Sequence, residues 1–167
     1  MKSAGTHVII DGILSPESIP IVSSREHMSQ YLEDITKITG MTLVFPPIAM
    51  KFPFAGETHR FLNNLQQEGT TSPVIREFTE HIHNRDTQGS GVSAISMWLE
   101  SHCTLHSWPE ENYISIDLFS CKNFDTPPVI DYTMDFMKLK ESNIITVYRQ
   151  MDGAAKIERS CKCPLSI

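Results

Sequence analysis

Two nearby segments of the chain alternate between apolar and polar residues. One covers residues 92–99 and the other residues 113–119, and a repeat of two residues is the pattern of a β-strand with one buried face. We interpret residues 92–119 as consecutive antiparallel strands. This excludes a sheet built throughout from right-handed βαβ crossovers, whose strands would run parallel.

Helical spacing and capping residues identify the helices. Ser23 or Ser24 caps a helix that ends at Gly40, where a glycine accepts the left-handed conformation of a helix terminus. Its apolar positions are Met28, Tyr31, Leu32, Ile35 and Ile38. Two more helices are predicted, at about residues 73–84 and from Asp125 through Lys140.

Short β-branched or apolar runs predict three further strands, at residues 6–11, 41–45 and 144–148. We expect Pro46 and Pro47 to end the second of these, and the polar tail from Met151 onwards to be loose. The sum is an α+β fold of about six strands, in which an antiparallel β-sheet carries helices packed on one face. A chain of 167 residues fits a single domain, 1–167.

Composition limits the partners and the compartment. The net charge of −6 argues against nucleic acid or an anionic membrane as the main partner. The apolar runs are shorter than a membrane span, and the first residues lack the apolar core of a signal peptide. Four cysteines do not make a disulfide scaffold in a chain of this size. We therefore expect a cytoplasmic protein without a membrane partner.

The segment between the two alternating runs is rich in reactive groups. Residues 99–110 hold carboxylates, hydroxyls, two imidazoles and an indole, and Cys121 follows. If the strands pair, a hydroxyl, an imidazole, a thiol and a carboxylate could converge, but these rules name no reaction. A cysteine such as Cys121 is more often a small buried apolar residue. The sequence lacks the nucleophile elbow of hydrolases.

The chain also lacks the usual spacings of a zinc site. It has no His-Glu-x-x-His and no Cys-x-x-Cys, and the pair Cys161 and Cys163 has no partner pair elsewhere. His81 and His83 are two residues apart, so on a helix they point in different directions. The sequence therefore predicts no metal, and it favours exposed thiols at the tail.

The motif Glu-Ser-His-x-x-x-His-x-Trp-Pro-Glu at residues 100–110, with a cysteine eleven residues further on, is highly specific. Together with the opening Met-Lys-Ser-Ala-Gly-Thr-His, it resembles the bacterial and archaeal pyruvoyl-dependent S-adenosylmethionine decarboxylases. The resemblance covers most of the chain except an insertion at about residues 46–88 and the last ten or so. It implies the α/β sandwich of that family and a homodimer of αβ protomers.

The resemblance implies that the chain makes its own cofactor. The Ser101 hydroxyl would attack the carbonyl of Glu100, and elimination and hydrolysis would leave a pyruvoyl group in place of Ser101. His106 would act as the base of this processing, with Ser93 as its helper. The products would be a β chain, residues 1–100, and an α chain that begins at position 101.

The resemblance also assigns roles in catalysis. The pyruvoyl carbonyl at position 101 would take the amine of a small-molecule substrate as a Schiff base and act as an electron sink. Cys121 would donate the proton after CO₂ leaves, and Glu110 would bind the ribose hydroxyls. Asp11 stands where the family usually has Glu, and the resemblance places it on the substrate side.

Two alternatives to this interpretation stay open. The short His-Arg-Phe-type segment whose aromatic ring stacks on adenine is replaced by the insertion, and the sequence does not decide among Phe52, Phe54 and Phe61 for that ring. Decarboxylation of arginine or ornithine on the same scaffold is therefore an alternative. A second alternative is an unprocessed regulatory homologue, in which the bond between Glu100 and Ser101 stays intact.

Overall fold

A computed structural model of the chain describes residues 3–52 and 91–163. In these residues seven strands form one sheet in the order β2-β3-β4-β5-β1-β6-β7, and every neighbouring pair is antiparallel. The strands are β1 (Ser3–Leu14), β2 (Ile48–Phe52), β3 (Gly91–Trp98), β4 (Ser101–Trp108), β5 (Tyr113–Ser120), β6 (Leu139–Gln150) and β7 (Ala155–Lys162). The helices are α1 (Ser18–Val22), α2 (Arg25–Thr39) and α3 (Thr126–Met137).

The predicted α+β sandwich is confirmed: one face of the sheet is covered by helices. Alternate residues of the central strands are buried there, and they pack against apolar residues of α2 and α3. Trp98 of β3 donates its indole N–H to Thr36 of α2 at 2.8 Å. Tyr31 of α2 and Thr133 of α3 share a buried hydrogen bond of 2.8 Å. The opposite face, which we call the open face, carries the intervening side chains.

Helix α2 agrees with the sequence at both ends. Ser24 accepts a hydrogen bond from the backbone N–H of His27 at 3.2 Å, and Gly40 ends the helix with a φ of +65°. The residues that it buries include four of the five predicted apolar positions, whereas Ile38 is 38% exposed. The helix therefore lies with the predicted stripe against the sheet.

Helix α3 ends earlier than predicted. Helix α3 stops at Met137, not at Lys140, because Lys138 takes the left-handed conformation with a φ of +53°. Strand β6 begins directly after it, at Leu139. Lysine at this position carries no glycine-like signal, so the sequence did not mark the turn. Asp125 occupies the capping position, but its side chain makes no capping hydrogen bond.

Two predictions for the strands were wrong. Residues 41–45 form no strand; Leu43 makes one isolated bridge to Trp98, and the strand lies beyond the two prolines, at β2. The tail is not loose, since Ala155–Lys162 pairs with β6 along its length. The predicted run of consecutive antiparallel strands over residues 92–119 is confirmed: the segment rich in reactive groups is the strand β4, which lies between β3 and β5. The burial of β4 alternates, but the pattern is hard to see in the sequence because Ser107 is polar and buried whereas Trp108 is apolar and 41% exposed.

Some expectations lie outside the described residues. The predicted helix at 73–84, His81, His83, Phe54 and Phe61 all fall there. Strand β2 falls inside the insertion that the resemblance implies at about residues 46–88. Within residues 3–52 and 91–163, no helix combines the length and the apolar content that a membrane crossing requires.

Candidate active site

A two-residue turn places Glu100 and Ser101 at one end of the sheet. Trp98 pairs with Ser101 across the hairpin between β3 and β4, so Leu99 and Glu100 form its tip. Ser101 has a φ of +155°, a backbone conformation that residues with a Cβ atom rarely adopt and that costs on the order of 1–3 kcal/mol. The residue that follows the peptide bond between Glu100 and Ser101 is therefore held in an unfavourable backbone conformation.

The carbonyl oxygen of Glu100 accepts two hydrogen bonds from one residue. The backbone N–H of Cys121 donates to it at 3.1 Å, and the thiol of Cys121 donates to the same oxygen at 3.1 Å. Two donors that point at one carbonyl oxygen polarise the carbonyl and stabilise negative charge that develops there. Cys121 is exposed, so it is not the buried apolar residue that a cysteine at a strand end usually is.

The side chain of Glu100 anchors the same turn. Its carboxylate accepts a hydrogen bond from the backbone N–H of Thr42 at 3.0 Å and another from the Thr42 hydroxyl at 3.3 Å. The backbone N–H of Thr42 is the largest influence that lowers the pKa of Glu100, and the charge of Lys122 contributes in the same direction. The backbone N–H of Leu99 donates in return to the Thr42 carbonyl at 3.0 Å. The turn of the hairpin is thus fixed from both sides.

A second group of polar residues lies on the open face. Ser93 of β3 is paired in register with His106 of β4, and the Ser93 hydroxyl and Nδ1 of His106 are 2.7 Å apart. Gly91 begins β3 close to β4: a Cβ atom there would lie 2.1 Å from the carbonyl oxygen of Ser107. Glycine at this position therefore permits the close strand pairing that aligns Ser93 with His106.

Aromatic rings extend this second group along the sheet. The His106 ring lies 5.8 Å from that of Trp108, and the Trp108 ring lies 5.6 Å from that of Tyr113. Tyr113 donates its hydroxyl proton to the carboxylate of Asp11 in a short hydrogen bond. Burial is the main cause that raises the pKa of Tyr113, followed by this bond to Asp11. Glu110 follows in the short turn Pro109–Glu111 and is exposed.

The predicted site residues thus fall into two groups. Glu100, Ser101 and Cys121 meet at the hairpin, whereas Ser93 and His106 meet elsewhere on the sheet. Ser101 and His106 are five residues apart on β4, which at about 3.3 Å per residue is a separation of about 16 Å. Pairing of the strands therefore does not bring the imidazole to the serine within one chain.

Sequence reasoning missed the contacts that anchor the hairpin. Thr42 is 58 residues from Glu100 and sits in a segment that was expected to be an ordinary strand. Lys122 was not singled out either; its ammonium group donates to the carbonyl of Gly40 at 2.6 Å. No local pattern marks either residue, because both contacts depend on how α2 leads back to the sheet.

The solved structure of the adenosylmethionine decarboxylase from Aquifex aeolicus VF5 shares this fold. It matches with a TM-score of 0.53 over 100% of this chain and 95% of that chain, at 14% identity. Fold and site together define a small α+β protein with one seven-stranded sheet, three covering helices and a serine at a strained hairpin, in the part of the chain that the structure describes.

Sequence comparison identifies the family. A family model described as S-adenosylmethionine decarboxylase matches residues 57–150, more than half of the chain. An S-adenosylmethionine decarboxylase proenzyme of Clostridium botulinum (strain Langeland) is 41% identical over 118 residues, which are 68% of this chain and 96% of the relative. One of Saccharolobus islandicus (strain L.S.2.15) is 27% identical over 112 residues, 63% of this chain and 92% of the relative. The chain belongs to the S-adenosylmethionine decarboxylase family, which confirms the resemblance.

Proposed function

We propose that this chain is a proenzyme that cuts itself between Glu100 and Ser101 and then decarboxylates S-adenosylmethionine. Membership of a decarboxylase family supports the reaction class. Two features of the hairpin carry the proposal. The carbonyl oxygen of Glu100 accepts hydrogen bonds from both the N–H and the S–H of Cys121, and the next residue is a serine with a positive φ. An ordinary hairpin needs neither feature.

The cleavage begins with the Ser101 hydroxyl. Its oxygen attacks the Glu100 carbonyl carbon, the C–N bond breaks, and the freed amine takes a proton, so an ester replaces the amide. The two donors from Cys121 stabilise the oxyanion of this step. A base then removes the Cα proton of residue 101 and the Glu100 carboxylate leaves. Water replaces the nitrogen, ammonia departs, and residue 101 ends as a pyruvoyl group.

Backbone strain favours this route. The conformation of Ser101 costs on the order of 1–3 kcal/mol, and breaking the peptide bond before it releases that cost. The Thr42 contacts hold the Glu100 side of the bond in place meanwhile. The residues at the turn therefore fit the formation of a pyruvoyl group at position 101, and the products are a β chain, 1–100, and an α chain, 101–167.

The base of the elimination step comes from a second copy of the chain in this proposal. His106 lies about 16 Å along β4 from Ser101, too far for proton transfer within one protomer. The open face around it also exposes apolar side chains: Ile95 is 39% exposed, Met97 47% and Trp108 41%. We therefore place two open faces against each other in a homodimer, with the partner's His106 and the partner's Ser93 beside Ser101.

A complementation experiment tests this arrangement. His106→Ala and Ser101→Ala chains that carry different tags are expressed alone and together. Alone, neither is expected to be cut. Together, the Ser101→Ala chain supplies the imidazole, so part of the His106→Ala chains should be cut. If the His106→Ala chain is cut when alone, or stays intact in proven mixed dimers, the partner does not supply the base.

The same residues serve decarboxylation after the cut. The pyruvoyl group supplies an electron sink for the bond to the departing carboxylate. The thiol of Cys121, which touched the Glu100 carbonyl, then lies beside position 101, where it can protonate the carbon that loses CO₂. Glu110 binds the ribose hydroxyls, and Asp11, oriented by Tyr113, contributes on the substrate side.

Two measurements test the proposal as a whole. The unchanged chain should run as two bands on a denaturing gel, and Ser101→Ala as one full-length band. Release of labelled CO₂ is then compared for S-adenosylmethionine, arginine and ornithine, and only the first is expected to react. A single uncut band from the unchanged chain, with no CO₂ release, would favour a regulatory homologue. The cytoplasmic location stays a prediction, which fractionation of the source cells would test.

A further inference from the structure

Two cysteines lie side by side on the edge strand of the sheet, far in sequence from the hairpin. Cys161 belongs to β7 and Cys163 follows its last residue. One residue separates them, so both side chains project from the same face of an extended backbone. Lys162, between them, projects from the other face and forms an ion pair with Asp131 of α3. The ammonium group of Lys162 is therefore paired with a carboxylate outside the cysteine pair.

Strand pairing brings a carboxylate to the two thiols. Asn143 is opposite Cys161 and Ser142 is opposite Lys162, so Glu141 is next in register, at Cys163. The thiol of Cys161 donates to Oε1 of Glu141 at 3.5 Å. A ligand atom from each of Glu141, Cys161 and Cys163 lies within 4.8 Å of the other two. Within residues 3–52 and 91–163, no other set of histidine, cysteine and acidic side chains is arranged in this way.

These distances suit a tetrahedral metal ion. Zinc binds thiolates at about 2.3 Å and carboxylate oxygens at about 2.0–2.2 Å, so its ligand atoms are about 3.6–3.8 Å apart. The sulfur and oxygen atoms here lie within 4.8 Å of one another, about 1 Å more than that spacing at most. Two thiolates favour zinc and other thiophilic ions over magnesium and calcium, which prefer oxygen ligands. Two thiolates balance the charge of a divalent ion, and the carboxylate of Glu141 leaves the complex with one negative charge.

We propose that Glu141, Cys161 and Cys163 form a binding site for a thiophilic divalent cation, with zinc as its natural occupant. The three side chains fill three positions of a tetrahedron, and water takes the fourth. The site joins β7 to β6 at the end of the edge strand. Side chains of β7 are otherwise exposed almost throughout, so a bound ion would fasten a strand that is held mainly by backbone hydrogen bonds.

Cobalt(II) is the probe for this site. It is added to the whole protein, with both chains of the cleaved form present, together with a phosphine reductant. The near-ultraviolet charge-transfer absorption of thiolate–cobalt bonds is then recorded. We expect this absorption to appear in the unchanged protein, to saturate at one ion per chain and to disappear when zinc displaces cobalt. The absorption should be lost in the Cys161→Ser and Cys163→Ser variants. Glu141→Gln should weaken cobalt binding by on the order of tenfold or more.

The matched control is Cys121→Ala, which removes the exposed cysteine of the hairpin and should leave cobalt binding unchanged. The replaced tail residues are exposed, so their variants are expected to fold; chain cleavage and CO₂ release should stay as in the unchanged protein. The proposal is overturned if no charge-transfer absorption appears, or if it survives in Cys161→Ser and vanishes in Cys121→Ala. It is also overturned if Cys161 and Cys163 remain joined as a disulfide, shown by a mass lower by two hydrogens, after treatment with the reductant.

Discussion

Replacing Cys121 with alanine separates the two roles that we propose for this residue. The variant keeps the backbone N–H that donates to the Glu100 carbonyl and loses the thiol that donates to the same oxygen at 3.1 Å. Chain cleavage therefore loses one of its two donors. Decarboxylation loses its proton donor altogether. The same substitution should thus affect the two reactions to very different degrees.

The two magnitudes follow from the contacts. A thiol is a weak donor, and a net hydrogen bond contributes about 1 kcal/mol, which corresponds to a cleavage rate roughly fivefold lower. Cleavage should still reach completion, because the N–H of Cys121 and the strain at Ser101 remain. A positioned proton donor contributes on the order of 10²–10⁴-fold to a reaction, so CO₂ release per cleaved chain should fall at least about 100-fold.

The assay follows both steps in one preparation. Newly translated chain is sampled over time on denaturing gels to obtain the cleavage rate, and the fully cleaved protein is then assayed with carboxyl-labelled S-adenosylmethionine. Cys161→Ala is the matched control, since that thiol is exposed and lies at β7; neither rate should change. Cleavage of Cys121→Ala at the unchanged rate would refute the polarisation of the carbonyl by the thiol. An unchanged CO₂ release would remove Cys121 from proton transfer.

Three further predictions concern residues around the two groups. Glu100→Gln should slow cleavage severalfold on gels because the charged partner of Thr42 is lost. Since this contact lowers the pKa of Glu100, it stabilises the fold above the ordinary carboxyl pKa, and this stabilisation is lost as the pH falls through the lowered pKa. Acid titration of the Glu100→Gln variant should not show that loss of stability. Tyr113→Phe should raise KM about tenfold with a smaller change in kcat, because Asp11 loses its donor; an unchanged KM would remove this pair from substrate binding. Leu105→Ala, at a position with 0% exposure, should lower the free energy of unfolding by about 2–5 kcal/mol in urea titrations, and a loss below 1 kcal/mol would contradict the packing of β4.

Local patterns were enough to predict several parts of the fold. The helix from Ser24 to Gly40 has a side-chain cap, an apolar stripe and a terminal glycine in one continuous segment, and such signals act between residues that are neighbours in sequence. The prediction of a loose tail was wrong for the opposite reason. The side chains of β7 are polar and exposed, and the strand forms because β6 offers an unpaired edge. Residues 41–45 look like a strand by composition, but their backbone makes only an isolated bridge.

The sequence by itself determined the chemistry that is available: a Glu-Ser bond, two histidines and a later cysteine in a spacing typical of one family, and an alternation that specifies antiparallel strands. Only the tertiary structure decided which of these groups meet. It brings Cys121 to the carbonyl of a residue 21 positions away and keeps His106 far from Ser101, because an extended strand separates its residues by a fixed rise per residue. Contacts between distant segments depend on strand order and register, and no short-range pattern encodes those.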